Sequence, residues 1–300
     1  MGTIALEFVP PDIAHGPRRA TETAERVREL LLRAGLLHRV EALLIPGMIA
    51  EDDDRPIALV DKMDVLDVHL TTRSVLPLRN IVTQVTAFSS MEALDQRIAI
   101  LEQAGIDRVV FVGVPRTLAD GAGPGLTPAA ALRRYSARLP GRGVVLIPTR
   151  QDEAARFGAK VAAGANLALC QMLFSDLIGS VLCATRVEGP KPEILLSFGY
   201  VPNAETRVGL IRWLIRDVTD AAQREMATVL DLASKHFADK KAALVEIYRR
   251  TVESVLDLGY PLGIHFECPY DFNPYAFEVF HAMLDVWSPP TPPPGSSLVR

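Results

Sequence analysis

Glu7 is the only charged residue in the run Thr3-Ile4-Ala5-Leu6-Glu7-Phe8-Val9, which stops at Pro10-Pro11. A carboxylate among apolar neighbours is costly to bury ionised, so it finds a cation, takes up a proton or does chemistry. Two readings follow: an interior acid paired with Arg or Lys, and a general acid whose pKa is raised by partial desolvation. Gln171 poses a similar question in Leu167-Ala168-Leu169-Cys170-Gln171-Met172-Leu173-Phe174. A buried amide needs partners, supplied by the protein core or by a bound heterocycle with an amide edge. Tyr200 ends another apolar run beside Pro202 and Asn203, as a stacking surface at a site mouth or as a rim tyrosine. The segment Gly121 to Pro128 could cradle phosphate with backbone N–H groups or be a plain loop.

Other chemistry finds less support. His69 reads as a surface or loop histidine ahead of the third strand, and His265 and Cys268 are too sparse for a metal site. His15, His38, His236 and His281 are scattered, so no metal is expected. There is no Gly-x-Ser-x-Gly elbow and no phosphate-loop lysine motif.

These residues need a frame, and the patterning supplies one. Strand-like runs at 3–9, 41–46, 80–87, 107–114, 142–148, 165–173, 192–201 and 261–267 alternate with helical stretches. The latter fall near 17–34, 57–68, 90–104, 127–138, 150–163, 175–186, 205–217 and 273–287, with an extra pair at 219–236 and 239–257. Pro17, Ser90 and Asn273-Pro274 are helix-start signals, and Gly35, Gly105 and Gly164 are helix-stop signals. Eight strand-helix units with strands apolar on both faces predict a (β/α)8 TIM barrel over 1–288, with the active site at the C-terminal strand ends. The competing arrangement is an open doubly wound sheet, but Pro10-Pro11 stands where its Gly-rich fingerprint belongs. Residues 289–300, rich in Pro, Gly and Ser, read as a disordered tail.

The composition, 49% hydrophobic and 23% charged, is enough for a substantial core. A net charge of −4 and scattered Lys and Arg argue against nucleic acid as a partner. The acidic run Glu51-Asp52-Asp53-Asp54 reads as a solvated loop or, less simply, a cation site. Three separated cysteines suit a reducing compartment, and with no signal segment or long apolar run the expectation is a cytoplasmic protein without membrane contact.

Two motifs resemble a known family. Glu7-Phe8-Val9-Pro10-Pro11 is similar to the Glu-Phe-Phe-Pro-Pro opening of methylenetetrahydrofolate reductases. Lys160 to Phe174 resembles that family's Lys-x-x-x-Ala-Gly-Ala-Asn-x-x-x-x-Gln-x-x-Phe segment at the fixed positions. Weaker likenesses are Ala104 to Val110 and Gly263-Ile264-His265-Phe266. The resemblance implies reduction of 5,10-methylenetetrahydrofolate to 5-methyltetrahydrofolate in a barrel, with Glu7 as general acid. It also places Gln171, Asn166 and Tyr200 at the reduced folate.

The departures concern the flavin. The family's Arg-Gly-Asp after strand four reads Val112-Gly113-Val114, its His-Leu-Thr falls on Thr83-Gln84-Val85, and its Tyr-Pro-Glu-x-His-Pro becomes Ile147-Pro148-Thr149-Arg150. The tempting His69-Leu70-Thr71 lies too early to be the counterpart. The resemblance with these losses implies direct hydride transfer from NADH or NADPH, with bound FAD or FMN absent and Gly113, Thr83 and Pro148 contacting the nicotinamide. The acidic run after strand two leans towards NADH. A competing class is a folate-binding barrel that transfers one-carbon units or senses folate without redox chemistry. An unrelated barrel lyase would need a lysine or metal cluster that the sequence lacks.

Overall fold

The computed structural model describes residues 2–47, 62–113, 125–202, 208–209, 211–212, 215, 219–269 and 272–290. Eight parallel strands close into a barrel in chain order: β1 (Ile4–Glu7), β2 (Ala42–Ile45), β3 (Arg79–Val85), β4 (Arg108–Val112), β5 (Gly141–Leu146), β6 (Leu167–Cys170), β7 (Glu193–Gly199) and β8 (Leu262–Glu267). The helices around them are α1 (Gly16–Arg33), α2 (Val65–Thr72), α3 (Met91–Gln103), α4 (Pro128–Arg134), α5 (Glu153–Ala162) and α6 (Leu177–Ala184). An added pair, α7 (Asp220–Ser234) and α8 (Phe237–Leu256), precedes β8, and α9 (Pro274–Val286) closes the ring. The protein is a (β/α)8 TIM barrel with the extra helical pair in the expected place.

Alternation within each strand sorts side chains into two cores. Ala5, Ala42, Leu44, Ile81, Val110, Leu167, Leu169 and Leu195 fill the barrel interior. Their neighbours in sequence, such as Ile4, Leu6, Leu43, Val82, Val109 and Ile264, pack outward against the helices. The interior is therefore a packed core, and a ligand must bind above it. Below it, Arg108 Nη1 reaches Glu193 Oε2 at 3.2 Å and Thr3 Oγ1 at 3.0 Å, a polar plug at the N-terminal end.

Local signals act as the sequence implies. Ser90 Oγ accepts from Ala93 N at 3.2 Å and Asn273 Oδ1 from Ala276 N at 2.9 Å, capping α3 and α9. Gly35, Gly105 and Gly164 take φ of 68°, 84° and 106° behind α1, α3 and α5, a region closed to most side chains.

The added helices tie down two mouth loops. Lys240 on α8 is fully buried and donates from Nζ to the Val201 carbonyl at 2.9 Å, fixing the chain just past β7. Glu225 on α7 accepts from Phe174 N at 2.8 Å and from the Ser175 hydroxyl, fixing the chain past β6.

Three expectations need correction or fall elsewhere. His69 is no loop residue: it lies on α2, buried, and its Nε2 donates to the Ala104 carbonyl at 3.1 Å. Of the helix expected over 57–68, residues 57–61 lie outside the described residues, and the observed α2 starts at Val65 and runs on to Thr72. The acidic run, Gly121 to Pro124, most of the 205–217 helix and the tail from 291 lie outside the described residues. No helix among the described residues is long and apolar enough to cross a membrane.

Candidate active site

The β1–β8 seam brings two acids together at the C-terminal mouth. Ala5 pairs with His265 and Leu6 with Phe266, so Glu7 and Glu267 stand one step further along neighbouring strands. Both share the inward alternation of Ala5 and His265, and parallel strands lie about 4.8 Å apart. Glu7 Oε2 accepts from the Cys268 backbone N–H at 3.0 Å. No Lys or Arg among the described residues forms an ion pair with either acid, which removes the interior-ion-pair reading of Glu7. Burial pushes the Glu7 carboxyl up to about 7, with the Cys268 N–H opposing it. Glu267 is raised well above its ordinary range, first by burial and then by the Glu7 charge.

Beneath this pair lies a short polar chain. Ser197 Oγ on β7 donates to the Cys170 carbonyl at 2.7 Å and sits 3.0 Å from His265 Nδ1. With its proton committed to Cys170, the serine accepts from Nδ1–H. His265 is 1% exposed, its Nε2 has no partner, and burial lowers its pKa to about 3, so the ring is neutral. Glu267 Oε1 lies 3.8 Å from Nδ1.

The rest of the mouth divides in two. Continuing the inward alternation, β6 contributes Gln171, while β3, β4 and β5 contribute Val85, Val112 and Ile147. Among the described strand residues, the inward side chains are thus polar from β6 round to β1 and apolar at the ends of β3, β4 and β5. Gln171 is half-buried, and its backbone N–H donates to the Leu146 carbonyl at 2.9 Å.

The other expected residues spread out. Thr83 is inward on β3, its Oγ1 accepting from Gly47 N at 2.7 Å. Gly113 follows β4 beside Pro128, and Pro148 follows β5, buried. Tyr200 belongs to the outward set past β7; its ring lies 6.5 Å from that of Phe237 on α8 and 5.3 Å from Lys240 Nζ, towards the helical layer. Asn166 is at the opposite end of the barrel from Glu7. Its Oδ1 accepts from Arg142 N at 2.7 Å and its Nδ2 donates to the Pro140 carbonyl at 2.6 Å, so it staples the base of β6. The structure brings Glu7 and Gln171 to one mouth and leaves Asn166 far from it.

Sequence reasoning passed over Glu267, Ser197 and the buried Glu153. Glu267 carried the same signal as Glu7, a lone acid at the end of an apolar strand. Glu153 on α5 is 2% exposed, and its Oε1 accepts from Ile147 N and Lys160 Nζ at 3.2 and 3.3 Å. Lys160, part of the resembling segment, also donates to the Val145 carbonyl at 2.7 Å and so braces β5.

A family model described as mycobacterial methylenetetrahydrofolate reductase matches residues 1–291. The chain belongs to this family. As a member of the methylenetetrahydrofolate reductase family it is placed among oxidoreductases, and the acid at the end of β1 stands where the resembling motif locates it. No curated protein matches the chain. Among solved structures it resembles tryptophan synthase from M. tuberculosis in its open form with BRD0059 bound, at 14% identity over 78% of this chain and 92% of that one, TM-score 0.42. The same enzyme in space group F222 gives 14% identity over 78% and 91%, TM-score 0.42. Likeness at that level says nothing of activity.

Proposed function

We propose that the protein reduces 5,10-methylenetetrahydrofolate to 5-methyltetrahydrofolate, taking hydride directly from NADH or NADPH. The observation that carries this reading is Glu7: a half-buried carboxyl at the barrel mouth, with no Lys or Arg ion pair among the described residues, its pKa pushed up to about 7 by desolvation. A general acid works best when its pKa lies near the operating pH.

The reacting five-membered ring must open before reduction. Glu7 gives its proton to N10 as the bond from N10 to the bridging carbon breaks, leaving an N5-iminium cation. Hydride from C4 of the dihydronicotinamide then adds to that carbon, forming the methyl group and the oxidised nicotinamide. Glu7 is left as a carboxylate and regains a proton from solvent, so each turnover consumes one proton. Gln171, on the same mouth, offers an amide to the amide edge of the pterin.

Support for leaving flavin out comes from the β3–β5 side of the mouth. A flavin ring system wants donors and acceptors along its polar edge, whereas the inward residues here are Val85, Val112 and Ile147. Thr83, one turn of the alternation below Val85, accepts the Gly47 N–H. Among the described residues, these side chains do not fit a flavin, and they do suit stacking of two flat rings, nicotinamide on pterin.

The test is folate-dependent oxidation of NADH by the purified protein, followed by absorbance, with flavin content determined on the same sample. Turnover without flavin supports the reading. A folate that binds but never oxidises NADH or NADPH would favour the non-redox barrel instead.

A further inference from the structure

Tyr275, the second residue of α9, is 55% exposed at the C-terminal end of the barrel and has no part in the steps above. We propose that its ring is the platform on which the p-aminobenzoyl ring of the folate rests as it leaves the mouth. The folate comes from the function proposed above; the exposed ring and its backing do not depend on it.

Five rings form an arc along the rim, from β1 past β8 to β7. Phe8, the residue after Glu7, has its ring 5.8 Å from that of Phe272, which is three positions before Tyr275. On the other flank the Tyr275 ring lies 4.7 Å from that of Phe237 at the start of α8, and Phe237 lies 6.5 Å from Tyr200 just past β7. Phe8 and Phe272 are buried, and Phe237 and Tyr200 are half-buried. Lys240 anchors that flank, its Nζ 5.3 Å from the Tyr200 ring and 2.9 Å from the Val201 carbonyl. Tyr275 is thus the one ring of the arc that stands out into solvent, and its neighbours back it.

The connectivity of the substrate names the occupant. N10, the atom that Glu7 protonates, is also the nitrogen of the p-aminobenzoyl group, so that ring starts one bond from the reacting atom. The barrel interior is packed, so with the pterin in the mouth the ring is carried out over the rim beside β1 and β8. That is where α9 begins: Arg26 Nη2 on α1 donates to the Phe272 carbonyl at 2.7 Å and holds the helix start beside β1. A tyrosine presents a large ring at little cost in conformational freedom. The nicotinamide is assigned to the other side, over the apolar ends of β3, β4 and β5, which leaves this rim to the folate.

Saturation-transfer NMR of the ligand-free full chain with p-aminobenzoyl-L-glutamate reads the platform without turnover. Wild type and Tyr275→Phe are expected to transfer to the aromatic protons of the fragment. Tyr275→Ala should lose that signal with its melting curve unchanged, because the side chain is exposed. A fragment that fails to bind wild type, binds Tyr275→Ala equally well, or is displaced by free glutamate would overturn the proposal. In turnover, Tyr275→Ala should raise KM for the folate by about tenfold, the upper worth of an aromatic pair. The change in kcat should stay within about twofold, since a contact made equally before and during reaction moves KM alone. A rise in KM for NADH instead would assign the ring to the nucleotide and would also overturn the proposal. A fragment held through Tyr275 by a protein that oxidises no NADH with folate would leave the platform standing and remove the reductase reading.

Discussion

The Cys268 backbone N–H donates to Glu7 Oε2 at 3.0 Å across the strand pair that closes the barrel. The bond ties the Glu7 carboxyl to the last strand through Oε2, and in the proposed reaction Oε1 is the oxygen that faces the substrate. It also explains why burial does not carry the Glu7 pKa higher still.

Glu7→Gln keeps the shape and the Cys268 bond but has no proton to give. General acid catalysis is worth roughly 10²–10⁴ in rate, so kcat should fall by that factor while KM for the folate changes only a few-fold. Steady-state NADH oxidation checks both. An unchanged kcat would remove Glu7 from the chemistry.

The same group imposes a pH dependence on stability. The Glu7 carboxyl is raised from 4.5 to about 7 on folding, so between those values the native state binds more protons than the unfolded chain. Stability from this group is fully present below pH 4.5 and declines by about 1.4 kcal/mol per pH unit towards pH 7. Urea unfolding at pH 5 and pH 8 should therefore show a smaller pH effect in Glu7→Gln than in wild type.

Glu225 holds the loop after β6 through Phe174 N–H and Ser175, three residues beyond Gln171. Glu225→Ala leaves a buried N–H unpaired, a cost of about 1–3 kcal/mol. The midpoint of urea unfolding should drop accordingly. KM for the folate should rise with it, since the loop that follows Gln171 loses its anchor.

Asn166 makes the converse case. Its two hydrogen bonds staple the base of the barrel, so Asn166→Ala should lose about 1 kcal/mol of stability with kcat and KM unchanged. A raised KM with intact stability would return Asn166 to the substrate site.

What the chain discloses before folding follows from barrel physics. All eight strands are legible because parallel strands buried on both faces read as apolar runs, and Ser90, Asn273 and the three helix-ending glycines mark boundaries chemically. Glu7 is legible because an acid in such a run is anomalous. Glu267, at the end of the strand read over 261–267, carries the same signal as Glu7 but lies in no motif of the resemblance, so sequence alone does not single it out. Asn166 and Tyr200 were misplaced for a different reason. A motif fixes neither the end of the barrel nor the side of the strand, and Asn166 precedes β6 while Tyr200 falls on the outward alternation. His69 looked like a loop residue because its burial depends on the Ala104 carbonyl, a partner 35 positions away.

The central claim is a direct passage of hydride from nicotinamide to the bridging carbon of a reduced folate whose N10 Glu7 protonates. It is tested most directly by turnover with each C4-deuterated NADH isotopomer in turn, followed by mass analysis of the product. Direct transfer predicts that one isotopomer delivers its deuterium to the methyl group essentially in full. A product methyl group that has lost the label to solvent would mean an exchanging carrier stands between the two rings, and would contradict the account.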